Sequence, residues 1–207
     1  MSGDYAGVPR GQHGIDASRG SGVQRCSAIA STPALCLNPA AAVFAIVPAL
    51  TDDIPVLRDL ARRIWHEHYP GIITPEQIDY MLARMYDTEV IRREMAEGVM
   101  WHLVRHHGEP VGFISCGFDD PARRVKLHKL YLLPRLHGQG LGRRMLDHVK
   151  AQAVLRNARE ILLHVNKQNT RAIRSYERAG FRVRESLIAD IGGGFVMDDF
   201  VMVLALA

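Results

Sequence analysis

His137-Gly138-Gln139-Gly140-Leu141-Gly142-Arg143-Arg144 joins two apolar patterns of different period. Before it, Val125-Lys126-Leu127-His128-Lys129-Leu130-Tyr131-Leu132-Leu133 is a run of strand-forming residues. After it, Leu141, Met145, Leu146, Val149 and Ala153 recur at helical spacing. A strand, a glycine turn and a helix start in direct succession make a place for phosphate. The free N–H groups of the first helical turn point outward, and the helix dipole favours an anion there. The glycines let the backbone approach such a ligand without a Cβ in the way. Spacing narrows the choice. No Gly-Lys-Ser/Thr follows, so this is not a nucleoside-triphosphate loop. Gly138, Gly140 and Gly142 give G-x-G-x-G, one residue short of the dinucleotide fingerprint. Taken alone, the stretch is equally an ordinary tight strand-to-helix turn.

The sequence downstream adds a second motif. Ile161-Leu162-Leu163-His164-Val165-Asn166 reads as a strand, and Asn169 to Ala179 reads as a short helix. Asn169 is placed to cap that helix, and Gly180 sits where a left-handed terminator belongs. Phe181-Arg182-Val183 then opens another strand. A proline followed by H-G-Q-G-L-G-R, and then about twenty residues on by L-H-V-x-x-x-N-x-x-A-I-x-x-Y-x-x-x-G-F, resembles the GCN5-related N-acetyltransferases. The resemblance runs from roughly residue 44 to the C-terminus. Its tail, around Asp190, Gly192-Gly193-Gly194 and Asp198-Asp199, resembles the bacterial branch that contains spermidine/spermine N-acetyltransferases.

Composition is ordinary for a soluble globular protein. The 207 residues are enough for one domain with a core, and apolar residues make up 47% and charged residues 23%. The net charge of +4 is too mild to argue for nucleic acid. The three cysteines suggest no disulfide framework; Cys26 and Cys36 lie in the N-terminal segment, and Cys116 reads as a small buried hydrophobe. A reducing cytoplasm is therefore the expected compartment. No apolar run reaches transmembrane length, and Asn38 and Pro39 break the apolar stretch that a signal peptide would need.

Residues 1–42 are rich in Gly, Ser, Ala and Pro without periodicity and read as a disordered or low-complexity tail, leaving 43–207 as the acetyltransferase domain. Val43 to Val47 suits a first strand, and Asp52 or Asp53 opens a helix. Thr74-Pro75-Glu76-Gln77 starts another, with Thr74 as N-cap and Gln77 closing a capping box. A further helix begins near Asp87 or Thr88. Strands follow at Met100–His106 and Pro110–Phe118, joined by a tight turn at His107-Gly108, and the last two lie at Phe181–Asp190 and Asp198–Ala205. The order implies an α/β (α+β) fold with a mixed, mostly antiparallel six- to seven-stranded sheet and helices on both faces. It is also the order of the family.

The resemblance implies roles. Acetyl-CoA would be the co-substrate, with no metal. His137, Gly138, Gln139, Gly140, Leu141, Gly142 and Arg143 would hold its pyrophosphate, with Arg144 as a further charge; His137 stands where relatives carry Gln or Arg. The acetyl and pantetheine arm would run along Leu130, Tyr131 and Leu132, where a freed backbone N–H would polarise the thioester carbonyl. Asn169 would hold the arm, and Tyr176, two helical turns on, would protonate the leaving thiolate. The bland alternatives are an N-cap for Asn169 and a core aromatic for Tyr176. Relatives often place a Glu base where this chain has His128 or His164; an imidazole with pKa about 6.5 is suited to accept a proton at neutral pH. Alternation places His128 with Leu130 and Leu132, and His164 with Leu162 and Asn166. Tyr69 and Trp65 would line the acceptor mouth, and Asp190, with Asp198 and Asp199, would draw a cationic acceptor. His66 and His68, at i and i+2, are poorly spaced for zinc. The expected function is acetyl-CoA-dependent N-acetyl transfer to a primary amine of a small molecule, a polyamine among the candidates, by direct attack. The runners-up are a protein or peptide N-acetyltransferase and a non-catalytic acyl-CoA sensor. A homodimer stays open, with neither nucleic acid nor membrane as partner.

Overall fold

The structure is a computed structural model, and it describes residues 43–206. The expected tail, with Cys26 and Cys36, lies outside the described residues. The chain runs β1 (Phe44–Pro48), α1 (Ile54–His68), α2 (Pro75–Met85), α3 (Thr88–Ala96), β2 (Met100–His106), β3 (Glu109–Asp119), β4 (Arg124–Leu132), α4 (Leu141–Leu155), β5 (Glu160–Asn166), α5 (Thr170–Arg178), β6 (Arg182–Gly192) and β7 (Phe195–Ala205). The seven strands form one sheet in the order β1-β2-β3-β4-β5-β7-β6. Only β4 and β5 are parallel, and every other neighbouring pair is antiparallel. Helices cover both faces. On one, Trp65 of α1 packs on Tyr131 and Tyr86. On the other, His148 of α4 lies edge-on to His102.

Local chemistry explains most boundaries. Thr74 Oγ accepts the N–H of Gln77 at 3.2 Å and starts α2 behind Pro75, as expected. The capping box does not close. The Gln77 amide instead donates to the Val196 carbonyl at 2.9 Å, tying α2 to β7. Asp87 accepts from the N–H of Glu89 and begins α3. His107 and Gly108 carry φ of 51° and 82°, the paired left-handed conformation whose twist matches a two-residue hairpin. The final hairpin is longer than expected. β6 runs to Gly192 and β7 starts at Phe195, because Gly193 and Gly194, at φ of 65° and 80°, close the turn in two residues. The glycines also make room: a Cβ on Gly193 would lie 2.9 Å from the Tyr80 ring. Tyr80 Oη donates to the Ile191 carbonyl at 2.7 Å, so the hairpin tip is fastened to α2.

Two irregularities shape the middle of the sheet. The β4–β5 pairing covers only Arg124 to Leu127 against Glu160 to Leu163; beyond it β4 continues against β3 alone, while β5 stays paired with β7 up to Asn166. The strands therefore part at His128. The second is a bulge at the same place. Ser115 and Cys116 of β3 face Lys129 and Leu127, which leaves His128 as an extra residue of β4. It breaks the alternation. His128 does not share a face with Leu130 and Leu132; its ring lies over Gly117, where a Cβ would meet Nε2 at 2.9 Å, on the face that carries Lys129 and Tyr131. A bulge is invisible to period-2 reading, because that reading assumes no residue is inserted.

Candidate active site

The glycine turn follows a single 3-10 turn, Pro134–Leu136, and leads into α4 with Gly140 at the N-cap. Gly138 and Gly140 have φ of 85° and 77°, where L side chains are strained. A Cβ built on Gly138, Gly140 or Gly142 would meet nothing within 4 Å, so the space in front of them is open. The N–H groups of residues 138–142 meet no protein acceptor among the described residues. They collect at the N-terminus of a 15-residue helix, where the dipole adds to them. The arginines are otherwise engaged. Arg143 pairs with Asp147 at 3.0 Å, and the Arg144 guanidinium lies 4.1 Å from the centre of the Phe44 ring. What the turn offers a pyrophosphate is therefore backbone, and this fits an anion without help from a side chain.

His137 does something sequence reasoning did not foresee. Its Nε2–H donates to the Leu132 carbonyl at 2.9 Å. That carbonyl lies on the parted edge of β4. Leu133 N–H donates to Val111 on β3, so in this stretch the odd-numbered residues bond to β3 and Leu130 and Leu132 face the gap. Their backbone groups look into the space that β5 has vacated. Gly112 holds β3 close on the other side, where a Cβ would come within 2.4 Å of the Tyr131 carbonyl oxygen. Leu130, Leu132 and the turn at 137–142 thus line one continuous edge.

The start of α5 closes the far side. Asn169 is buried, and its Oδ1 accepts the N–H of Ala172 at 3.2 Å, the expected cap. Its Nδ2 donates to His68 Nε2 at 3.1 Å. His68 therefore carries its proton on Nδ1 when neutral, and burial, then His137 and Arg171, hold its pKa below the ordinary imidazole value. The pair His66 and His68 divides: His68 turns in to α5, while His66 faces Asp79 at 3.3 Å near solvent.

A cluster of phenols lies beside the gap. Tyr69 Oη and Tyr131 Oη are 3.1 Å apart, and Trp65 stacks near both. Tyr176 is half-buried against Phe181 and lies close enough to Tyr69 to feel its charge. Burial raises all three phenols above their ordinary value, Tyr69 to about 12. Each is a protonated donor at neutral pH. Tyr131 was expected to matter only through its backbone; its side chain joins the cluster.

On the same face of the sheet, His128 and His164 stand on opposite banks of the gap, near enough to repel one another when charged. Desolvation, Lys126 and, for His128, Lys129 depress both pKa values, so both are neutral at pH 7. Both rings are open to solvent on one edge. Lys129 beside them is buried, its ammonium 3.3 Å from Glu94 of α3 and 4.7 Å from the centre of the Trp101 ring. Asp190 is exposed and spends an oxygen on the N–H of Gly192, fixing the hairpin. Asp198 pairs with Lys167. Asp199 alone of the three is buried, 5% exposed, with Oδ1 lacking any partner.

Backbone donors at a helix start, a parted sheet and a cluster of protonated phenols suit an enzyme of acyl transfer better than a nucleotide-binding switch or an electron carrier. Comparison with known proteins gives the particular family. The chain belongs to the acetyltransferase (GNAT) family, whose model matches residues 57–181. An uncharacterized N-acetyltransferase of Mycobacterium tuberculosis is 37% identical over 159 residues, 74% of this chain and 98% of that protein. A spermidine N(1)-acetyltransferase of Thermoplasma acidophilum is 24% identical over 152 residues, 71% and 91% of the two chains. The crystal structure of a PaiA N-acetyltransferase from the same organism, in complex with coenzyme A, superposes with TM-score 0.67 at 23% identity over 79% of this chain and 99% of the other, which shows the shared fold. The protein is an N-acetyltransferase, and its mostly antiparallel mixed sheet is the fold of that family.

Proposed function

We propose that the protein moves an acetyl group from acetyl-CoA to a primary amine of a small molecule, a polyamine being the leading candidate, by direct attack of the bound amine. One observation carries this reading: the unpartnered N–H groups of residues 138–142 continue along the free edge of β4 at Leu130 and Leu132 towards a protonated phenol. Acetyl-CoA would supply the thioester that makes acetyl transfer favourable. The turn 138–142 holds the anionic pyrophosphate through backbone N–H groups. A Leu130 or Leu132 N–H facing the gap donates to the acyl oxygen and stabilises the charge that develops there. Asn169 orders the start of α5, and Tyr176 on that helix gives its proton to the departing sulfur. Burial keeps this phenol protonated at neutral pH, so it enters the reaction as a proton donor.

The ammonium must lose a proton before it attacks. His164 and His128 are neutral imidazoles on the acceptor face; burial and Lys129 push His128 down to about 3, which weakens it as a base, so His164 is the better placed to pass that proton to solvent. The reading also carries a cytoplasmic location. The test is free-CoA release by the full chain across polyamines, amino acids, aminoglycosides and a lysine peptide, with Tyr176→Phe beside the wild type. Turnover should fall at least 100-fold in the variant while acetyl-CoA affinity stays within about two-fold. An unchanged turnover removes Tyr176 from the acid role. A protein that binds acetyl-CoA but turns over no amine is a sensor, and a peptide preferred over every small amine moves the substrate class.

A further inference from the structure

Of the three carboxylates expected to draw a cationic acceptor, Asp199 is the one that is buried. It sits in β7 directly opposite Asn166 of β5 and Leu187 of β6. Paired residues of antiparallel strands share a face, so Asp199 stands on the side of the sheet that bears Asn166 and His164. It lies at the end of β5 beyond the point where β4 has parted. Its charge reaches the Tyr69 phenol, which bonds Tyr131 on β4. Asp199 therefore lies on the face of the sheet that carries the phenols.

Nothing nearby neutralises it fully. Lys167, whose charge acts on it, is committed to Asp198 and lies over the Phe200 ring. Asn166, its cross-strand neighbour, spends Oδ1 on the N–H of Gln168. Oδ1 of Asp199 has no hydrogen-bond partner among the described residues and is closed to solvent. A buried carboxylate without a donor is costly and calls for an explanation. A missing donor that is itself cationic supplies one. On the same face of the sheet the Tyr69 and Tyr131 hydroxyls, 3.1 Å apart, present oxygen atoms to N–H donors.

We propose that Asp199 is the subsite that receives the reacting ammonium of the acceptor, with Tyr69 beside it, so that the enzyme selects unbranched primary alkylammonium groups. This rests on the acetyl-transfer reading above. His164, on the same face two residues before Asn166, then takes the proton outward. Asp190 and Asp198, both exposed and both engaged, are not the recognition charge.

The experiment uses the full chain, wild type, Asp199→Asn and Asp198→Asn, each checked for folding by far-UV circular dichroism. Steady-state CoA release is measured with 1,4-diaminobutane and with aniline, whose nitrogen is uncharged at pH 7.5. Binding of 1,4-diaminobutane to protein saturated with coenzyme A is measured by calorimetry. In Asp199→Asn the KM for 1,4-diaminobutane should rise at least ten-fold and its calorimetric affinity fall by a like factor. Its kcat should stay within three-fold, with the aniline KM and the acetyl-CoA KM within two-fold. Asp198→Asn, which keeps the Asp199 carboxylate but frees Lys167, should raise the 1,4-diaminobutane KM by less than Asp199→Asn does. Equal losses for both acceptors, an unchanged KM in Asp199→Asn, or an equal effect of Asp198→Asn overturns the proposal. Wild-type protein that does not bind 1,4-diaminobutane overturns it too. Absence of CoA release with any amine, despite binding that Asp199→Asn abolishes, overturns the acetyl-transfer reading and leaves the cation subsite standing.

Discussion

Replacing Asp199 with Asn should make the folded protein more stable at pH 7. Burial, helped by Asp198, raises the Asp199 carboxyl to about 6, with Lys167 pulling the other way. In the unfolded chain a carboxyl of this kind titrates near about 3.9. At about 1.4 kcal/mol per pH unit, the folded state at pH 7 carries a penalty of about 3 kcal/mol for keeping Asp199 charged. The sign follows from proton uptake. The folded state binds this proton more tightly, so the penalty is absent below about pH 4, grows as pH rises from about 4 to 6, and is complete above. Asn has the same shape and no charge, but a buried amide without partners costs about 1 kcal/mol or more. The net gain at pH 7 is then about 1–2 kcal/mol, or about 3–6 °C in Tm for a domain of this size. The assay is urea and thermal unfolding of both proteins at pH 7.5 and at pH 4.5. The advantage should vanish or reverse at pH 4.5, where the folded carboxyl is protonated. A loss of stability at pH 7.5, or a gain of the same size at both values, would refute the reasoning, for it would mean that the carboxylate is satisfied. Stability gained where acceptor affinity is lost is the trade expected of a binding residue kept against its own folding cost.

Two further outcomes follow from buried charge. Glu94→Gln removes the partner of the buried Lys129 ammonium and should destabilise the fold by about 2–3 kcal/mol in urea titration, whereas the double variant with Lys129→Met should recover most of it, since Met leaves no buried charge without a partner. His102, buried against His148, has its pKa lowered to about 4 by desolvation first and His148 second. The unfolded imidazole takes up its proton near about 6.5 and the folded one does not until about 4, so stability is lost as pH falls across that window, by up to about 3 kcal/mol. His102→Gln should flatten this slope between pH 6.5 and 4.5, read from urea midpoints, and an unchanged slope would clear His102 of the effect.

Much of the fold is legible in the chain because its signals are local. Thr74-Pro75, Asp87 and Asn169 each place an oxygen on an unsatisfied N–H of the helix they begin, and each helix starts there. His107-Gly108 and Gly193-Gly194 take the left-handed pair that a tight hairpin needs. The faults are equally physical. Gln77 is the right residue for a capping box, but a carbonyl of β7 competes for its amide, and a partner 119 positions away in sequence has no local signature. The bulge at His128 is of the same kind. It arises from the register of β3 against β4, and one inserted residue moves His128 to the other face from Leu130 and Leu132.

The site divides along the same line. The turn 137–142 announces itself because glycine and a helix start are sequence features, and its donors are backbone groups that any side chains would leave in place. The acceptor side is built by convergence. Tyr69 comes from the end of α1, Tyr131 from β4, Tyr176 from α5 and Asp199 from β7, and no spacing relates them. Asp190, Asp198 and Asp199 look alike as three carboxylates around a glycine tip, yet only register separates them. Opposite Val196, near the turn, Asp190 stays in water; opposite Asn166, where the sheet is covered, Asp199 is buried. One position further along β7, the same side chain moves from an exposed ion pair with Lys167 to a charge that the fold itself does not neutralise. On the proposed reading, cofactor binding is written in a contiguous motif and choice of acceptor in strand register, so acceptor specificity is the property that single changes in β7 should alter first.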